Sequence, residues 1–276
     1  MQTGFASRSS RCAEPAVDFA PGVGELPRIF RMKKIPVSLQ LYSVRGDTGA
    51  DFAGTVAAVA KMGYTGVELA GYGNLDAKGA KAALDAAGLK VSGMHAGITQ
   101  LRGDFDTVVN DALLFGTRHV ICPWWHPGQY LSAAACAQIG GELGGIGAKL
   151  RAFGLQLSFH NHSGEMKVID GRTVFDWMLS AAAPRDLCAE LDVYWAHVGG
   201  VPPEKFIHDH GARVQLLHVK DAKEIGLGPV DFTKVFAAAE LVGAVEWYVV
   251  EQEWYNHAPM ESVRRCIEQL KAWGKA

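Results

Sequence analysis

From residue 36 onward the chain alternates two kinds of segment. Short runs rich in apolar and β-branched residues read as buried strands: PVSLQLY (36–42), GVELA (66–70), KVSGMHA (90–96), HVICP (119–123), LQLSFHN (155–161), LCAELDV (187–193), VQLLHVK (214–220) and WYVVEQE (247–253). Between and after them lie alanine-rich stretches with helical spacing, Phe52 to Lys61, Ala77 to Ala87, Phe105 to Phe115, Ala133 to Phe153, Thr173 to Ala182, Glu204 to His210, Phe232 to Val242 and Met260 to Trp273. Asp51 and Asp231 stand where side chains cap helix N-termini, and Pro202 with Pro203 suits a first turn. Gly63, Gly88, Gly154 and Gly243 fall where the helices should stop.

Strands and helices in alternation require parallel pairing through right-handed crossovers, and eight such units are the number that closes a barrel. The pattern therefore predicts a single (βα)8 TIM barrel over residues 32–276, with its active site at the C-terminal ends of the strands. An open doubly wound sheet is the competing arrangement, but no GxGxxG follows the first strand and no shift in composition marks a second domain. Residues 1–31 carry neither pattern and precede MKKIPVSLQLYSV; they read as a disordered N-terminal extension or an upstream mis-start.

Composition narrows the function classes. Of 276 residues, 49% are hydrophobic and 20% charged, the balance of a soluble globular protein. A net charge of −2 without a basic run argues against nucleic acid as partner, and no apolar segment approaches the roughly 20 residues that span a bilayer. The five cysteines are scattered without CxxC spacing, which fits reduced thiols and a cytoplasmic location.

Almost every predicted strand ends in an ionisable residue: Glu68, His95, His160, Asp192, His218 with Lys220, and Glu251 with Glu253. Each follows an apolar run, and charge buried there is unfavourable unless paired or bound to a metal. His160, Asp192, His218 and Glu251 are separated by 32, 26 and 33 residues, each about one strand–helix unit. Four successive strands thus deliver one ligand-type side chain apiece to the same rim. Imidazole nitrogens mixed with carboxylate oxygens suit Mn²⁺, Co²⁺, Fe²⁺ or Zn²⁺ better than Ca²⁺. Side chains repeat faces every two residues, so an inward His218 brings Lys220 with it, and Glu251 brings Glu253. The tryptophans of the rim, Trp124 and Trp195 among them, are candidate walls for a sugar ring. The glycine-rich GELGGIGAKL (141–150) lies within a helical pattern and lacks GK[ST], so no phosphate role follows from it.

LQLYSVR (39–45), GVEL (66–69), FHNHSGEM (159–166), LDVYWAHVGG (191–200), HVKD (218–221) and GPVDF (228–232), in this order, resemble the sugar phosphate isomerase/epimerase group of the xylose isomerase-like TIM barrels (AP endonuclease family 2). That superfamily also holds inosose dehydratases, ketose 3-epimerases and endonuclease IV. The resemblance implies one divalent metal held by Asp192, His218, Glu251 and a fourth ligand from strand five. Many relatives carry glutamate where this chain has His160, so either His160 or Glu165 from the following loop takes that position. It also implies proton abstraction next to a carbonyl, through an enediolate, in a sugar, keto-sugar or cyclitol. Glu251 is the first candidate base, with His160 or His95 on the opposite face. Glu68, His162, Lys220, Trp124 and Trp195 are the candidate substrate contacts. A dehydratase or lyase using the same site, by β-elimination from an inosose or a 3-keto-glycoside, is the alternative, and a homo-oligomer is compatible with tryptophan-rich rim loops.

Overall fold

The computed structural model of the chain describes residues 34–276, together with Met1, Gln2 and Gly4. The expectation for residues 1–31 therefore lies outside the described residues. Residues Lys34–Ala276 form one compact unit. Its strands are β1 (Val37–Gln40), β2 (Gly66–Leu69), β3 (Lys90–His95), β4 (His119–Cys122), β5 (Gln156–His160), β6 (Cys188–Asp192), β7 (Val214–Val219) and β8 (Trp247–Val250). All pair in parallel with their sequence neighbours, and β1 pairs with β8 to close the barrel.

The helices begin and end where local chemistry directs. The Asp51 carboxylate accepts from the Gly54 N–H at 2.9 Å ahead of helix Phe52–Met62, and Asp231 does the same for Phe232–Val242. Gly63, Gly88 and Gly243 close three helices in the left-handed conformation that glycine adopts without strain. The long helix spans Ala133–Arg151 rather than reaching Phe153. Two of its glycines are packing devices: a Cβ at Gly147 would sit 1.7 Å from the Asp186 carbonyl oxygen, and one at Gly140 2.0 Å from that of Met178. Only glycine allows the helix to approach that closely.

Some boundaries differ from the sequence expectation. The last strand ends at Val250, so Glu251 and Glu253 lie just past it, and Lys220 lies one residue beyond β7. Thr173 caps helix Val174–Ser180 from outside instead of starting it. Short helices at Arg45–Ala50, Ile98–Gly103 and Val193–Val198, and a small hairpin of Val168–Ile169 with Arg172–Thr173, carry too few periodic residues to be anticipated. No helix of the described residues is long and apolar enough to cross a membrane.

The apolar core lies outside the barrel, between strands and helices: Leu39, Val67, Val120, Leu157, Phe159, Leu191, Leu217 and Val250 join one continuous cluster with the helix faces. The alternate residues of the same strands, including Ser38, Gln40, Glu68, Ser158, His160, Glu190 and His218, are buried and polar. Polar side chains thus rise through the barrel interior to the C-terminal rim, among apolar ones such as Leu216, which shares the inner face with His218, and Ile121.

Candidate metal centre and active-site cavity

β5 and the turn after it distribute their side chains among four tasks. His160, at the strand's end, is buried on the inner face. Asn161 clamps the neighbouring strand, its Oδ1 accepting from the Asp192 N–H at 2.9 Å and its Nδ2 donating to the Asp192 carbonyl at 3.3 Å. His162 reaches the cavity above. Glu165 is buried and accepts from the His162 N–H at 2.7 Å and from the Tyr130 hydroxyl, so it holds the loop rather than joining the cluster.

One ligand-type atom from each of His160, Asp192, His218 and Glu251 lies within 4.8 Å of the others, and all four residues are buried. Asp192 Oδ1 caps helix Val193–Val198 through the Trp195 N–H at 2.8 Å, while Oδ2 is buried without a hydrogen bond. His160 Nδ1 is likewise buried and unpartnered, 3.4 Å from Glu190 without hydrogen-bond geometry. Burial pushes the Asp192 carboxyl up to about 7 against the opposing Lys220 charge. Burial and the neighbouring His218 push His160 down to about 3, leaving a neutral imidazole. Glu251 is held well below the usual carboxylate range: burial opposes this, but Lys220 at 3.1 Å and His218 at 3.3 Å prevail. Two orphaned atoms, a neutral imidazole and a buried carboxyl whose nearest cation, Lys220, stands 3.9 Å away and is bonded to Glu251 and Glu253 are the features that a divalent cation would complete. The donor set fits a metal of the Mn²⁺, Co²⁺, Fe²⁺ or Zn²⁺ type.

Directly beneath lies a second group that the sequence reading left incomplete. Glu68, His95, Glu190 and His218 also bring ligand-type atoms within 4.8 Å of one another. His218 Nε2 stands 2.8 Å from Glu68 and 3.1 Å from Glu190, His95 Nε2 stands 3.0 Å from Glu68, and Gln40 donates to Glu68 at 2.6 Å. Burial disfavours charge on the histidines, yet Glu68 and Glu190 raise His95 to about 9, and Glu190 and Glu68 raise His218 well above its usual value. Glu190 is held low by the charge of His218, with bonds from the histidines, despite its burial. Two ladder irregularities occur at Val67/Glu68 and Ala189/Glu190, beside these carboxylates. Such bulges re-aim a side chain. Gly93 supplies the room, since a Cβ there would come 2.9 Å from Glu68 Oε2. The missing signal was available: Asp192 inward implies Glu190 inward by the period of two.

A cavity of 810 Å³ opens above both groups. His95, His160, His162, Glu251 and Trp124 line it. Three expected substrate contacts, Glu68, Lys220 and Trp195, do not. Glu68 sits too deep, below His95 and His218. Lys220 is fully buried, bonded to Glu251 and Glu253, and covered by the rings of Trp195 at 5.2 Å and Trp254 at 5.4 Å.

The family model described as xylose isomerase-like TIM barrel matches residues 56–273. Among solved structures, a sugar phosphate isomerase/epimerase from Parabacteroides distasonis is similar at 22% identity with a TM-score of 0.77, covering 89% of this chain and 96% of that one. A D-allulose 3-epimerase from Methylomonas sp. matches at 14% identity and TM-score 0.64, over 87% of this chain and 98% of its own. A probable 3-DHS dehydratase of petrobactin synthesis from Bacillus anthracis matches at 14% identity and TM-score 0.67, over 86% and 99%. No curated protein matches the sequence.

Proposed function

The chain belongs to the xylose isomerase-like TIM barrel family, and from that premise we propose that it is a divalent-metal-dependent isomerase or epimerase of a sugar, keto-sugar or cyclitol. The observation that carries this reading is the convergence of His160, Asp192, His218 and Glu251, of which His160 and Glu251 line the large cavity. His160 supports the strand-five ligand position better than Glu165, whose carboxylate is engaged by Tyr130 and His162. Bound there, a divalent cation would supply Lewis-acid polarisation of a substrate carbonyl and its neighbouring hydroxyl.

The chain's own groups would move the proton. Glu251 Oε2 is held by His218 and Lys220, while no hydrogen bond among the described residues engages Oε1. That oxygen is the candidate base for the C–H beside the carbonyl. His95 lines the cavity and is raised to about 9 by Glu68 and Glu190 in spite of its burial, so it carries a proton at neutral pH and is the candidate donor. Lys220 keeps Glu251 ionised, and His162 and Trp124 wall the substrate. The same abstraction would permit elimination from a suitably substituted substrate, as the dehydratase among the structural relatives illustrates.

The test is metal analysis followed by isotope exchange. Purified protein should hold about one divalent ion per chain, and metal-loaded enzyme in deuterated water should label ketoses or inososes next to the carbonyl. Wild-type metal content in an Asp192→Ala variant, or no label from any such compound, would count against the reading. Release of water would move it to the dehydratase.

A further inference from the structure

The cavity beside the candidate metal centre is larger, and differently charged, than a monosaccharide phosphate calls for. Its 810 Å³ lie high in the range of about 300–1,000 Å³ typical of pockets that bury a drug-sized ligand. The walls come from two halves of the rim. His160, His162, Glu251 and Glu253 stand at the ends of β5 and β8. The other half belongs to β1–β4 and the segments after them, with Tyr42, Tyr72, Asp104, Asp111 and Trp124. A single ring held at the centre through two adjacent oxygens would leave this second half empty.

Charge decides what that half accepts. Among the described residues no lysine or arginine lines the cavity, whereas Asp104, Asp111, Glu251 and Glu253 do. A divalent cation at the centre would already face the carboxylates of Asp192 and Glu251, and Lys220 is taken by Glu251 and Glu253. Neither leaves positive charge over for a phosphate, and His95 in the wall is already matched by Glu68 at 3.0 Å and Glu190 at 3.4 Å. Arg45 stacks on the Tyr42 ring at 4.2 Å and donates to the Tyr42 carbonyl, but it is not part of the wall. Asp111 is fixed as an acceptor by the Tyr72 hydroxyl at 2.6 Å. Tyr42 and Trp124 leave 41% and 49% of their surface uncovered, offering flat faces of the kind on which sugar C–H groups stack.

We propose that the substrate is an uncharged glycoside. One ring presents its carbonyl and neighbouring hydroxyl to the metal centre, and a second uncharged ring fills the β1–β4 half, stacked on Tyr42 and Trp124 with hydroxyls donating to Asp104 and Asp111. This rests on the proton-abstraction reading above, and the experiment separates the two.

D-fructose, D-fructose 6-phosphate and isomaltulose differ only in what O6 carries: hydrogen, phosphate or a glucosyl ring. Calorimetric binding to the metal-loaded full chain should favour isomaltulose by about tenfold or more over both others. Equal or tighter binding of the phosphate, or no binding of any of the three, overturns the proposal. Deuterium incorporation reports the reaction separately. Isomaltulose preferred in binding but never labelled leaves the substrate class standing and removes the isomerase reading; fastest labelling of the phosphate does the reverse. Trp124→Ala should bring the isomaltulose preference down by about tenfold. If it weakens fructose and isomaltulose equally, the second ring does not lie against the β1–β4 wall and the proposal fails. Asp104→Lys, at an exposed position, should raise affinity for the phosphate.

Discussion

Leu157 and Ser158 are neighbours on β5, yet they face environments governed by opposite terms. Leu157 and Phe159 look outward into the apolar cluster, the Phe159 ring 5.7 Å from that of Phe175. Ser158 and His160 look inward, where Ser158 Oγ and His160 Nδ1 are buried without hydrogen-bond partners. β6 repeats the division, with Leu191 outward and Glu190 and Asp192 inward, and β7 does so with Leu217 and Val219 against His218. The outer face gains roughly 25 cal/mol for each Å² of apolar surface removed from water. The inner face loses hydration of charged and polar groups and recovers it only in part through pairing. A strand that satisfied stability alone would be apolar on both faces, so the polar inner positions mark where stability is given up for binding.

The comparison breaks most sharply at Asp192. Asp192→Asn retains the shape and the cap acceptor for the Trp195 N–H but removes the ligand charge. Metal content should fall to background and activity by roughly 10³-fold or more. The melting temperature of the metal-free protein should hold or rise, because burial disfavours the ionised carboxyl it replaces. A metal-free variant markedly less stable than the metal-free wild type would mean that the inner face stabilises the fold after all. Phe159→Ala is the outer-face counterpart. It should lower unfolding free energy by about 3–5 kcal/mol in urea titration while the folded fraction binds metal in unchanged stoichiometry.

Smaller effects sharpen the contrast. Glu190→Gln preserves volume but weakens an acceptor that orients His218, and should reduce metal affinity by roughly 10–100-fold, read by titrating Co²⁺ absorption. The smallest effect concerns the outer shell. Burial opposes ionisation of Asp176, but bonds from His210 at 2.9 Å and from Thr173 hold it at about 2, below its ordinary 3.8. A depressed carboxyl stabilises the fold fully above its unfolded value and loses that contribution as pH falls through the folded value. Wild type should therefore exceed Asp176→Asn by about 1 kcal/mol or less above pH ~5, with the gap closing toward pH ~2 in chemical denaturation.

The barrel was legible because each strand and helix announces itself within about ten residues, through a period of two or 3.6 and through caps such as Asp51 and Gly63. The spacing of His160, Asp192, His218 and Glu251 was legible for the same reason, since it repeats with the strand–helix unit. Glu190 was overlooked although alternation pointed to it from Asp192. Lys220, Trp195 and Glu68 were legible as polar or aromatic at the rim, but not as lying outside the cavity wall. That distinction depends on depth along the barrel axis and on which ring covers which amine, and neither leaves a trace in local sequence.

Sequence by itself determined the eight units, the two faces of each strand and the residue types available at the C-terminal rim, all properties of neighbouring residues along the chain. Closure of the barrel decided the rest. It brings Glu68 within 2.8 Å of His218 across 150 residues, turns Glu165 to Tyr130 rather than to Asp192, and lines the cavity with four carboxylates but no lysine or arginine among the described residues. Those outcomes follow from strand register and from two ladder irregularities, which are fixed by packing around the whole ring rather than by any one segment.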